Sequence, residues 1–171
     1  NCGHAILAYF GFLRDHTYGY EALVDPVIRN IFDRGLAESQ EGIVKYYKVD
    51  PNWIHNHVVE LTKRFANRAL GDTIFRLAKD PIRKLASTDR LVGAAKMCAG
   101  VGVKPEYLSW AIAAGFCYAD AQDPIAVDLQ TSIKSKGIEA VVSEVSDLSP
   151  DDDLAKMVIE KYNQLVLGKL P

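Results

Sequence analysis

A chain of 171 residues, 49% apolar and 25% charged with a formal net charge of −2, is long enough to bury roughly 70% of its unfolded surface and too balanced in composition for disorder. The weak negative charge excludes a global attraction to nucleic acid or to an anionic membrane surface. Three cysteines, Cys2, Cys98 and Cys117, are odd in number and lack CxxC spacing, so neither a zinc site nor a disulfide framework is expected. The thiols read as free and buried, in a reducing compartment.

The first segment, "NCGHAILAYFGFL", is a buried-helix pattern that opens with two polar residues, Asn1 and His4, one turn apart. Asp-Pro then occurs four times, at Asp25-Pro26, Asp50-Pro51, Asp80-Pro81 and Asp123-Pro124, each time followed by apolar residues at helical spacing. Asp at an N-cap accepts backbone N–H bonds, and Pro at the first helical position lacks only a donor that would be orphaned. Each pair predicts a helix start. After Asp25, Val27, Ile31, Gly35 and Glu38 form one stripe with Ile28, Phe32 and Leu36 beside it, and Gly35 reads as a close-packing point. After Asp50, the apolar face comprises Trp53, Ile54, Val58, Leu61 and Phe65.

A loop at "NRALGD" leads to one or two helical turns in "TIFRLAKD" and to the helix start at Asp80. Ser87 or Thr88 is expected to cap a helix from about Asp89. "KPEYLSWAIAAGFCYAD" is apolar nearly all round, as a central helix enclosed by neighbours should be. The helix after Asp123 is expected to stop at Gly137. "IEAVVSEVSDL" and a last helix with Asp151 to Asp153 in its first turn complete the chain. No segment alternates with period two, no repeat has a fixed period, and no low-complexity linker intervenes. The expectation is an all-α fold in one multi-helix domain spanning residues 1–171. The apolar run Trp110–Ala119 falls short of the ~18 residues of a membrane span. Beginning on Asn inside an apolar run, the sequence reads as cut from something longer.

Four histidines are present. His55 and His57, two apart, point about 200° away from each other on a helix, cannot share a metal as an i, i+4 pair can, and read as surface residues. His16, in "RDHTYGY", reads as solvated. His4 stands three residues after Asn1 and shares its helix face. It reads either as a core histidine satisfied by a carbonyl or as part of a site, and Asn1 either as a simple N-cap or as part of the same site. Cations concentrate in "RLAKDPIRKLASTDRL", where Arg76, Lys79, Arg83, Lys84 and Arg90 outnumber Asp80 and Asp89. Guanidinium groups beside a helix start suit an anion; a solvated face with ordinary ion pairs is the alternative. "GAAKMCAGVGV" has no preceding strand and does not read as a phosphate loop.

"NCGHAILAYFGFL", "RFANRALGDTIFRLAKDPIRKLASTDRL" and "AIAAGFCYADAQDPIAVDLQ" resemble, in order and spacing, the C-terminal domain of the polyol-specific long-chain dehydrogenases, the mannitol dehydrogenase family. The Asn-x-x-His start is shared across that family, while "DPIRKL" followed by "DRL" is closer to its phosphate-using branch. The resemblance runs from Asn1 to about Tyr162. It implies an NAD-dependent, cytoplasmic enzyme that interconverts D-mannitol 1-phosphate and D-fructose 6-phosphate without a metal, with free mannitol as the alternative substrate. It also implies an N-terminal Rossmann domain that holds NAD, and a catalytic lysine a few residues before Asn1; both would lie outside this sequence, leaving this chain inactive alone. Carried over by position, Asn1 stabilises the reacting oxygen, His4 orients a substrate hydroxyl, and Arg76 and Lys84 contact the polyol. Arg83 is added on its chemistry as a candidate phosphate ligand. A stand-alone helical interaction module is the competing expectation. It predicts that the basic cluster lies away from Asn1 and His4.

Overall fold

The computed structural model describes residues 1–171. Eleven α-helices follow one another without a strand: α1 (Cys2–Leu13), α2 (Gly19–Val24), α3 (Pro26–Tyr47), α4 (Pro51–Phe65), α5 (Ile74–Ala78), α6 (Pro81–Lys84), α7 (Val92–Gly100), α8 (Glu106–Phe116), α9 (Pro124–Lys136), α10 (Ile138–Ser146) and α11 (Asp153–Val166). A 3-10 turn, Arg68–Leu70, separates α4 from α5.

All four Asp-Pro pairs start helices, by the mechanism their chemistry dictates. The carboxylate of Asp25 accepts from the amides of Val27 (2.9 Å) and Ile28 (3.3 Å), Asp50 from Asn52 (2.8 Å), Asp80 from Arg83 (3.4 Å) and Asp123 from Ile125 (3.1 Å). Two of them also tie elements together. Asp123, fully buried, accepts the Asp80 amide at 2.8 Å through its second oxygen, so the starts of α6 and α9 share one carboxylate. Asp25 accepts from Arg14 Nε at 2.7 Å and lies 3.0 Å from His16 Nε2. His16 is therefore packed against Asp25, not solvated as its loop composition suggests.

The interior is built on α1 and α8. Residues Ile6 to Phe10 of α1 and Leu108 to Phe116 of α8 are buried, and one core of 37 buried residues runs from α1 to α11. Around this pair, α1 packs on α2, α3 and α5, and α8 on α3, α7 and α11. Gly35 provides the predicted close approach: a Cβ there would come within 2.9 Å of Ile6 Cδ1. Glu38, on the same stripe, turns inward for a polar reason. Its carboxylate accepts the amides of Tyr107 (2.8 Å) and Leu108 (3.0 Å), the otherwise orphaned donors of the first turn of α8.

Several local expectations give way. Trp53 is 61% exposed, stacked on His57 with ring centroids 6.2 Å apart, because α4 rests mainly on α2 and α3 and buries only Ile54 and Phe65. Neither Ser87 nor Thr88 caps a helix. The segment from Leu85 to Leu91 folds into turns and α7 begins only at Val92, without a side-chain cap. Asp153 alone of the three terminal aspartates lies in the first turn of α11; Asp152 accepts from the Ser149 amide instead. All three cysteines are free, but only Cys98 is buried, Cys2 and Cys117 being half-buried.

Candidate functional site

The helix α1 begins at Cys2, with Asn1 at the N-cap position. The Asn1 side chain makes no capping bond to the helix, and it is exposed. It borders a cleft of about 740 Å³ whose walls include Tyr46 and Tyr47 from the end of α3 and Ser87, Asp89 and Arg90 from the turn before α7. Gly93 lets that turn fold onto α7, since a Cβ there would stand 3.0 Å from the Thr88 carbonyl oxygen. Another groove, about 580 Å³ between α3 and α4, is lined by residues such as Arg29, Leu36 and His55 and contains none of the expected site residues.

His4 is half-buried one turn along α1. Its ring packs on Phe65 of α4, centroids 3.9 Å apart, and its Nε2 is 3.9 Å from Asp72 Oδ2. Two backbone bonds set Asp72 there: its carbonyl accepts the Gly19 amide, and the Ile74 amide donates to the Thr17 carbonyl, each at 2.8 Å. Asp72 is already paired with Arg76 and does not hold a proton on His4. Burial lowers the His4 pKa to about 4, aided by the positive charge of the Asn1 α-amino group and, less strongly, by those of Arg64, Arg76 and Arg90. Near neutral pH the imidazole is uncharged, with one ring nitrogen to donate and one to accept.

Lys84 lies deeper than a substrate contact read from sequence would suggest. It is 5% exposed, and its Nζ donates to the Leu77 carbonyl at 2.7 Å and to the Lys79 carbonyl, acceptors at the end of α5. Two of three ammonium donors are thus committed to backbone, and one remains. Burial lowers its pKa to about 8, with Arg90 and Arg83 pushing the same way.

Arg83 is more exposed, with Nε 2.7 Å from Asp80 Oδ2 and Nη1 3.7 Å from Asp89 Oδ2. Asp89 bridges onward: its Oδ1 is 2.7 Å from Arg90 Nε. The positive charge of Arg90 bears on Cys2, His4, Tyr9 and Lys84 alike. Arg90 belongs to the basic cluster of the sequence but is not among the residues the resemblance implies, and neither are Asp72, Asp89 and Phe65. Asp72 was legible as the i−4 partner of Arg76; the position of Phe65 against His4 depends on how α4 docks and left no trace. Beneath the group, the Tyr9 hydroxyl is buried without a hydrogen-bond partner. Among the charges that bear on it are those of Arg90, Asp80 and Asp89.

The arrangement joins α1 to the basic cluster. Asp72 stands between His4 and Arg76; Arg90 shares the cleft with Asn1 and is joined to Arg83 through Asp89, while His4, Arg76, Arg83 and Lys84 do not line that cleft. By their chemistry an uncharged imidazole and a carboxamide can orient hydroxyls, and guanidinium groups can bind an anion. No three His, Cys, Asp or Glu side chains gather as a metal ion would require, and no helix is long and apolar enough to cross a membrane.

Known proteins place this chain in a family. The chain is 34% identical over 165 residues to the mannitol-1-phosphate 5-dehydrogenase of Thermoanaerobacter pseudethanolicus, a match that covers 96% of this chain and 42% of that protein. The enzyme of the same name from Caldanaerobacter subterraneus subsp. tengcongensis is 34% identical over 99% of this chain and 44% of its own length. That of Bacillus pumilus is 36% identical over 94% and 42%. The chain therefore spans less than half the length of the curated relatives it matches. Residues 1–166, from the Asn1 edge through the basic cluster to the end of α11, match the mannitol dehydrogenase C-terminal domain, and the chain belongs to that family.

Proposed function

We propose that these 171 residues form one substrate-binding domain of a cytoplasmic dehydrogenase that interconverts D-mannitol 1-phosphate and D-fructose 6-phosphate with NAD. The observation that supports this reading is that Arg90 of the cationic cluster lines the cleft Asn1 borders, while Asp72 stands between His4 and Arg76. Names of the relatives that match nearly the whole chain support it. Three free thiols agree with a reducing compartment.

The chain contains no strand followed by a glycine-rich turn and a helix, so its residues do not fit the pyrophosphate of NAD. The cofactor, which accepts the hydride when bound, belongs to a Rossmann domain outside these residues, as does the lysine base. What these residues do is bind and orient the polyol. The Asn1 carboxamide donates a hydrogen bond to the reacting oxygen as it gains negative charge, an effect typically worth 10²- to 10³-fold in rate. Uncharged His4 fixes a neighbouring hydroxyl. Arg76 and the remaining donor of Lys84 contact the chain of hydroxyls, and Arg83 faces the phosphate.

Assays of the full-length protein with each polyol test the reading. Turnover of mannitol 1-phosphate is expected to exceed that of free mannitol, and Arg83→Ala should weaken the phosphorylated substrate selectively. Equal loss on both substrates sinks the phosphate role of Arg83, and NAD reduction by the 171-residue chain alone overturns the placement of base and cofactor outside it.

A further inference from the structure

Arg90 stands apart from the residues that resemblance selects. It is the better buried of the two guanidinium groups that share Asp89, its side chain being 19% exposed against 55% for Arg83. It also lines the cleft that Asn1 borders, which Arg83 does not. Asp89 is its one carboxylate partner and engages it through Nε. A side chain anchored in this way loses little freedom on binding and presents a planar fork suited to a phosphate. The same wall carries Ser87 and the uncapped start of α7, with Lys96 Nζ bonded to Ser87 Oγ at 2.5 Å.

We propose that Arg90, anchored by Asp89, is the specificity-determining residue for the phosphate of the substrate, and that Asp89 is the built-in counter-charge against which the phosphate competes. This rests on the reading that the edge binds a phosphorylated polyol. It places the principal phosphate contact in the cleft beside Asn1, with Arg83, more exposed and paired with Asp80, as an outer contact. The Asp89 carboxylate serves two ends. It holds the guanidinium in place, and it keeps an empty site from carrying an uncompensated buried cation. An uncharged polyol gains little here, because it cannot replace the interaction that Asp89 already makes.

The test is made in the full-length protein. Arg90→Met is expected to raise KM for mannitol 1-phosphate about 10- to 100-fold, the loss typical of a hydrogen bond to a charged group, and to lower the preference in kcat/KM for mannitol 1-phosphate over free mannitol by about 10-fold or more. Inorganic phosphate, competitive with mannitol 1-phosphate in the parent, should lose its inhibition in this variant, and Arg90→Lys should recover part of it. A parent that shows no preference for the phosphorylated polyol overturns the reading of the substrate. A parent with that preference, whose Arg90→Met variant retains it or loses both substrates equally, overturns this inference alone. Should Arg90→Met fail to fold, Asp89→Asn gives the second measurement: removal of the competing charge should tighten inhibition by inorganic phosphate several-fold, and unchanged inhibition overturns the proposal.

Discussion

Two aspartate–arginine pairs lie near the start of α1, Asp72–Arg76 beside His4 and Asp89–Arg90 in the cleft that Asn1 borders, and burial separates them. Arg76 is 65% exposed while Arg90 is 19% exposed. In the outer pair water screens most of the attraction, and the guanidinium is held chiefly by a partner one turn away on a flexible side chain. The inner pair is fixed between a folded turn and α7, and its charge reaches four groups with displaced pKa values; that of Arg76 bears among them on His4 alone. The same two residue types thus give a solvent-facing contact on one side and a standing field on the other.

The largest effect is expected behind the inner pair. Lys84→Met leaves the carbonyls of Leu77 and Lys79 without a donor and should cost about 2–4 kcal/mol in urea unfolding; a loss below about 1 kcal/mol would show that water replaces the ammonium. The Lys84 pKa is near 8 in the fold against an ordinary 10.5, so the unfolded chain binds the extra proton between those values. Parental stability should therefore rise as pH increases from 8 to 10.5, and Lys84→Met should flatten that slope.

Gly93→Ala comes next. Its Cβ meets the Thr88 backbone at 3.0 Å, and backbone yields less readily than a side chain, so about 1–3 kcal/mol of stability should be lost. The displaced turn would give the inner pair the character of the outer one. Unchanged phosphate inhibition in this variant would break the link between burial and function.

His4 supplies a smaller effect. Its folded pKa is near 4 and its ordinary value 6.5, so stability should fall as pH drops from 6.5 to 4, by on the order of 1 kcal/mol given the water that reaches the ring. A His4→Gln variant with the same acid slope would assign that loss to other groups. Smallest of all is Arg76→Ala, expected to change stability by no more than about 0.5 kcal/mol. It also removes a cation and frees Asp72, so the NMR titration of His4 should move upward; an unmoved titration would deny the outer pair any influence on the imidazole.

What was legible in the sequence follows the same divide between local and long-range causes. The Asp-Pro pairs announce helix starts because capping is decided within three or four residues, and all four appear where expected. The all-round apolar character of α8 and the stripe on α3 announce their burial for the same reason. Asp25 and Asp50 look alike in sequence, yet one gathers Arg14 and His16 from another element while the other faces water, and no local pattern distinguishes them. The turn from Leu85 to Leu91 has the sequence pattern of a helix cap because Ser and Thr serve both purposes. The governing contact, Gly93 under Thr88, is a matter of backbone clearance. In the candidate site, Asn1 and His4 are legible as a pair by spacing and Arg83 by charge. The prominence of Arg90 depends on burial, which depends on how α6, α7 and the end of α3 come together.

One feature of α4 bears on the chemistry in terms of local stability. This helix is anchored by only two buried side chains, Ile54 and Phe65, and the second of these is the ring that packs against His4. Helices with few buried contacts open at lower free energy than those threaded through a core, so the amides of α4 should exchange with solvent well before those of α1. Each such opening withdraws Phe65 from the imidazole and admits water to it. The proton affinity of His4 is therefore an average over the docked and undocked states of a neighbouring helix, and a substitution at Ile54 should be felt at the imidazole through the time α4 spends away from it.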